Sequence, residues 1–257
     1  YARWERLESF GLDSLSTTVT DPSPGADDNA TGVATLLEAA RLFRHYNFER
    51  TLRIIFFSGE EQIEKGSQAY LAGLDTKSIV GVINLDMFGF DKDNDRCFEL
   101  HVGTLPASQP IGRCFVQAIQ ANRINLTYDY LTDEAVPYSD HSTFWEAGLG
   151  AVLVLENYFD HVQPNGCRGV DFNPNYHTPE DRIQFLNLPY GFDIARAALA
   201  AAAGMAGPLG MCFNAAQPSL AAGVIEGQLR LGWLPLPGAS QYRVSQYTGI
   251  CGQGLPA

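Results

Sequence analysis

Adjacent carboxylates, Glu60-Glu61, follow the short apolar run Ile54-Ile-Phe-Phe57. Upstream stands Pro24-Gly-Ala-Asp-Asp-Asn-Ala-Thr-Gly32, and downstream come Asn84-Leu-Asp86 and Asn175-Tyr-His-Thr-Pro-Glu-Asp181. Each segment alone has an ordinary reading. A Glu-Glu pair is usually solvated surface, Asp27-Asp28-Asn29 before a helix suits a turn and cap, Asp86 suits a strand end, and His177 a loop. In combination they supply what metal-assisted hydrolysis needs. Zinc takes imidazole nitrogen and carboxylate oxygen and keeps a position open for water. A general base must stand beside such a centre without being a ligand. Adjacent Glu60 and Glu61 can divide those tasks because neighbouring side chains diverge.

The elements that must position these residues are legible as pattern. Continuous apolar runs at Ile54–Phe57, Ile79–Leu85 and Ala151–Leu155 suit strands buried on both faces. Val33, Leu36, Leu37 and Ala40 recur at helical spacing behind Thr31, a candidate N-cap. Ile111, Phe115, Ala118 and Ile119 make a second stripe, and Phe192 to Met205 a third helix that packs through small residues. Strands alternating with helices predict an α/β fold, a three-layer αβα sandwich around a mixed, mostly parallel sheet. In such sheets sites form beyond the carboxyl ends of strands, where Glu60, Glu61 and Asp86 fall.

The chain of 257 residues suits one large domain, taken as 1–212, with a smaller module behind it. Residues 213–224 read as a polar linker. Residues 225–257 carry alternating Leu229, Leu231 and Trp233, then Tyr242 and Val244 after a Pro-Gly turn, which reads as a hairpin. The pattern resembles the first strands of a fibronectin type III domain, a fold that needs about 100 residues, so the segment reads as incomplete. A net charge of -12 argues against a nucleic-acid partner. No segment is long and apolar enough to span a bilayer; Ala195 to Met205 comes nearest. The start at Tyr1, without Met, suits a mature or truncated form. Cys97, Cys114, Cys167, Cys212 and Cys251 are widely spaced, which disfavours a zinc ribbon and leaves any disulfide pairing open.

The ordered segments resemble the zinc-dependent leucyl aminopeptidase family, the co-catalytic dizinc exopeptidases, from about Phe10 to Met205. That family's pattern runs His-x-Asp, Pro-Gly-Ala-Asp-Asp-x-Ala-x-Gly, Glu-Glu after a strand, Leu-Asp, Ser-Asp-His and His-Thr, and this chain carries all but the first histidine. The resemblance implies that Asp28 bridges two metals, that Glu61 and His177 complete one site, and that Asp86 contributes to the other. It implies Glu60 as the base that takes a proton from the attacking water and passes it to the leaving amine. Tyr176 matches a tyrosine that donates to the developing oxyanion, and Asp13 a carboxylate behind the absent ligand. His141, in Tyr138-Ser-Asp-His-Ser142, is expected to be structural. His45, His101 and His161 lie outside the matching segments.

Gly11 stands where the first histidine belongs and cannot coordinate. The expectation is one tight zinc on Asp28, Glu61 and His177, with a second site weak or empty because Asp28 and Asp86 offer oxygen only. The expected function is a metallo-aminopeptidase acting on peptide or protein N-termini, monomeric and, by family habit, secreted or extracytoplasmic. The competing expectations are an inert binding domain of the same fold, favoured by Gly11, and a single-zinc glutaminyl cyclase-like transferase. Phe88, Phe90, Tyr158 and Phe159 are candidates for an apolar side-chain pocket and equally for core.

Overall fold

A computed structural model describes residues 23–161, 166–209, 220–225 and 228–233. Gly11, Asp13 and the expected strand at Tyr242–Val244 lie outside them. In chain order the elements are α1 (Ala30–Phe43), β1 (Asn47–Phe48), α2 (Lys65–Ala72), β2 (Val82–Leu85), β3 (Cys97–His101), α3 (Gln109–Ala121), β4 (Thr127–Leu131), α4 (His141–Glu146), β5 (Ala151–Glu156), α5 (Leu188–Ala206), β6 (Pro208–Leu209), β7 (Leu220–Ile225) and β8 (Gln228–Trp233).

The central sheet has the order β2-β5-β3-β4. β2 runs parallel to β5 and β3 parallel to β4, while β3 and β5 are antiparallel. The sheet is therefore mixed and mostly parallel, as the sequence predicts. β5 shows why its sequence is apolar at successive positions. Val152 and Val154 join the core built with Phe115 of α3 and Ile194 of α5, whereas Leu153 and Leu155 pack on the opposite face with Met87. Both faces are covered, so no polar alternation survives. α3 buries Ile111, Phe115, Ala118 and Ile119 as its spacing requires. α5 meets α3 through alanines; the Cys114 sulfur lies 3.6 Å from the Ala201 carbonyl.

Three expectations are corrected. Ile54–Phe57 is not a strand among the described residues: 51–57 carries no ladder, and Phe56 is exposed. Its apolar side chains pack as loop, with Phe57 against Tyr70 of α2 and Phe144 of α4. The N-cap of α1 is Asn29, not Thr31, because the Asn29 side chain accepts the Gly32 N–H at 3.0 Å. Asn29 also donates to the Leu85 carbonyl at 2.8 Å, and a Cβ on Gly32 would stand 2.7 Å from that same oxygen. Close approach to β2 thus turns Gly32, Thr35 and Ala39 inward and leaves Val33 and Leu37 exposed. Asn29→Ala removes a cap and a strand contact together. It should lower the unfolding free energy by about 1–2 kcal/mol in urea titration.

Cys97 of β3 is disulfide-bonded to Cys167, a pairing the sequence left open. β7 and β8 form an antiparallel hairpin with Leu220 opposite Trp233 and Ile225 opposite Gln228. The alternating residues 229–233 are strand as predicted, but their partner comes from residues that read as linker. No helix among the described residues is long and apolar enough to cross a membrane.

Candidate metal centre

Four loops converge beyond the sheet. The loop 23–29 delivers Asp28 into α1; it turns at Gly25, whose φ of 70° an L side chain would strain, and Gly25 accepts the Ala30 N–H at 3.0 Å. The peptide between Asp28 and Asn29 is cis. Glu60 and Glu61 open a short 3₁₀ turn, Glu60–Gln62, behind Gly59 at φ 71°. Asp86 follows β2 directly, its N–H donating to Val154 of β5 at 3.1 Å. His177 occupies a tight turn at φ 57°, with its ring stacked on Tyr176 at 3.7 Å between centroids.

The turn at His177 places its Nε2 2.7 Å from Glu61 Oε1 and 3.1 Å from Asp28 Oδ2. One ligand atom from each of Asp28, Glu61 and His177 lies within 4.8 Å of the other two. Asp86 is not part of that trio. It stands beside it, with Oδ2 accepting the Ser139 hydroxyl at 2.6 Å while Ser139 Oγ accepts Asn84 Nδ2 at 2.7 Å.

The electrostatics are those of a site with too much negative charge. Burial, then the charges of Asp86, Glu61, Asp28 and Asp140, pushes the Glu60 carboxyl up to about 10. Burial and Asp28 likewise hold Asp86 well above the usual carboxylate range. Asp28 is raised by burial, opposed by its hydrogen bond to His177. Burial works against protonation of His177, yet hydrogen bonds from its imidazole to Asp28 and Glu61 outweigh it and push the imidazole up to about 9. A cation relieves all of these at once, and two carboxylates with an imidazole are donors zinc accepts. The residues fit the metal.

Tyr176 is half-buried, and burial followed by Asp28, Glu61 and Asp86 raises its phenol, so the hydroxyl keeps its proton and can donate. His141 is buried at the start of α4, with Nε2 3.0 Å from the Val136 carbonyl and burial pushing its pKa down to about 3. It is a neutral structural histidine, as the sequence reading has it. Phe88 belongs to the main core. Tyr158 and Phe159 instead pack with Met87, Val136 and Tyr176, and Tyr158 meets Tyr176 edge-on at 5.3 Å. Phe90 contributes its N–H to Glu156 at 2.8 Å. Among the described residues, a cavity of about 980 Å³ is lined by Asp28, Glu60, Glu61, Asp86 and Asp140 together with Leu36, Ile54 and Ile83.

Sequence reasoning assigned no role to Ser139, Asp140 or Asp181, although Asp181 ends one of the motifs and the other two lie in Ser-Asp-His. A second carboxylate group, Asp91, Asp93, Asp95 and Asp171, also gathers oxygens within 4.8 Å. It lacks a nitrogen donor, and its buried members are engaged: Asp91 accepts from Asn187 at 2.7 Å and Asp171 from the Lys92 N–H at 3.1 Å.

Known proteins place the chain in a family. The family model for peptidase family M28 matches residues 12–202. The aminopeptidase YwaD of Bacillus subtilis is 30% identical over 168 residues, covering 64% of this chain and 34% of the relative. A probable leucine aminopeptidase of Arthroderma benhamiae is 28% identical over 202 residues, covering 75% and 50%. Among solved structures, the LapA aminopeptidase of Legionella pneumophila superposes with a TM-score of 0.61 at 26% identity, covering 75% of this chain and 49% of that one. The zinc aminopeptidase BSAP of Bacillus subtilis gives 0.56 at 27% identity, covering 70% and 42%. The chain thus spans between a third and a half of these relatives' length. A glutaminyl cyclase of Bacteroides thetaiotaomicron, at 21% identity and a TM-score of 0.51, shares the fold. The family model covers most of the sequence, and the chain belongs to peptidase family M28.

Proposed function

We propose that the protein is a zinc aminopeptidase that hydrolyses the N-terminal peptide bond of peptides or proteins. The observation that carries this reading is the trio Asp28, Glu61 and His177, with their donor atoms within 4.8 Å of one another, beside Glu60, whose carboxyl is raised by burial and by the charges of Asp86, Glu61 and Asp28. Asp28, Glu61 and His177 would hold the metal, with Asp86 alongside; bound there, zinc would polarise the scissile carbonyl and acidify water.

The chain's own residues supply the rest. Glu60 removes the proton of the attacking water and delivers it to the leaving amine. Tyr176 donates its hydroxyl proton in a hydrogen bond to the oxygen where negative charge develops. Asp28, Glu61 and Asp86 give the substrate's ammonium group a negative surround. Tyr158, edge-on to Tyr176, and Phe159, against Tyr158, offer an apolar wall for the first side chain. The buried Cys97–Cys167 disulfide supports an extracytoplasmic location, because such bonds persist in oxidising compartments.

The deciding experiment titrates zinc into chelator-treated protein over a panel of aminoacyl chromogenic substrates. Activity that saturates near one zinc per chain is expected. Tight zinc binding without turnover of any substrate would make the chain a binding domain instead.

A further inference from the structure

Asp181 touches no ligand atom, yet its carboxylate is committed to the loop that carries Asp28. Oδ1 accepts the Asp27 N–H at 2.8 Å and Oδ2 accepts the Asp28 N–H at 3.1 Å, across 154 and 153 residues of sequence. The main chain adds a third link, from the Ala26 N–H to the Asp181 carbonyl at 3.2 Å. Only 1% of Asp181 is exposed, so water does not compete for these bonds.

The same residue closes the turn that carries His177. The Asp181 N–H donates to Thr178 at 3.1 Å, and the Thr178 N–H donates to Asn175 at 3.1 Å. At the other end of that loop Asn173 Nδ2 donates to Asp27 Oδ2 at 3.0 Å. The 173–181 loop therefore grips residues 26–28 at two points, and His177 lies between them. Two N–H groups on one buried carboxylate are charge-assisted bonds, stronger than neutral ones.

We propose that Asp181 is a positioning residue for the metal centre: by holding the Asp28 and His177 loops together it sets the separation of two ligands that the chain places 149 residues apart. This rests on the zinc reading above. It assigns Asp181 a task distinct from coordination, since both its oxygens are spent on backbone N–H groups. An asparagine there keeps one acceptor and turns an NH₂ toward the other N–H, so one grip becomes a repulsion.

The test uses the full chain. Asp181→Asn should weaken zinc by about 10–100-fold in competition with a chromophoric chelator, the range for groups that orient ligands. In chelator-treated protein it should also speed amide exchange in the peptide spanning 24–30 while leaving β5 and α3 at wild-type rates. Unchanged zinc affinity, whatever the exchange, overturns the proposal and leaves Asp181 as fold support. Unchanged exchange overturns it as well. If Asp181→Asn does not fold, Asp181→Glu, which keeps the charge but displaces it by a methylene, should show the same loss of affinity. Wild-type protein that binds no zinc would defeat the metal reading and this proposal with it, whatever the exchange rates.

Discussion

Glu60→Gln is expected to lower kcat by about 10²–10⁴-fold while zinc binds as before. The amide fills the same volume and keeps a hydrogen-bonding oxygen, but it cannot accept a proton at the required basicity. Glu60 is held by the turn behind Gly59, with the Glu64 N–H donating to the Glu60 carbonyl at 2.8 Å. The neighbouring Glu61, not Glu60, makes the close contact with His177. A carboxyl pushed up to about 10 by burial and by its neighbours has no evident role in holding the fold together. A cation among those neighbours would offset their repulsion and bring it back toward the range where a base works near neutrality. Single-turnover assays together with a zinc competition titration separate the two effects. Wild-type kcat in the variant would remove Glu60 from the chemistry; lost zinc binding would make it a ligand.

The residues that gather in the structure could be singled out because each sits in a short contiguous segment whose neighbours fix its backbone: glycine before Glu60, a strand before Asp86, a turn around His177. The contacts that assemble the segments were not legible. Asp181 acts across more than 150 residues on backbone groups, which carry no sequence signal. Ser139 earns its place only because folding brings its hydroxyl to Asp86. The phase of α1 was misread for a related reason. Apolar Val33 and Leu37 look like the buried stripe, but the helix packs through Gly32, Thr35 and Ala39, whose small side chains permit the bond from Asn29 to β2. Burial followed the demand for close approach, not the larger hydrophobic residues. The run Ile54–Phe57 shows the limit from the other side. An apolar run states that a segment will be covered, and leaves open whether strands or helices cover it.

The excess charge also predicts how stability depends on pH once zinc is stripped. His177 has its folded pKa raised, to about 9 against an ordinary 6.5. Its contribution is therefore complete below pH 6.5 and is lost as pH rises through 9. Raised carboxylates act in the same sense: Glu60, at about 10 when folded, is protonated in the native state where the unfolded chain has already ionised. For each, the native state holds its proton longer than the unfolded chain does, so stability falls as pH rises from the unfolded value to the folded one. His141, pushed down to about 3, acts oppositely, but only between pH 3 and 6.5, below the window in question. Chelator-treated protein should thus lose stability, on the order of 2 kcal/mol after allowance for solvent screening, between pH 6.5 and 9. Zinc competes with those protons, so its affinity grows over the same interval and the gap in Tm between zinc-loaded and stripped protein should widen. Thermal melts at half-unit steps, with and without chelator, measure both trends. A stripped protein whose Tm stays level or climbs from pH 6.5 to 9 would mean that Asp28, Glu61 and His177 do not share charge as their distances require, and with that the case for a cation between them would fall.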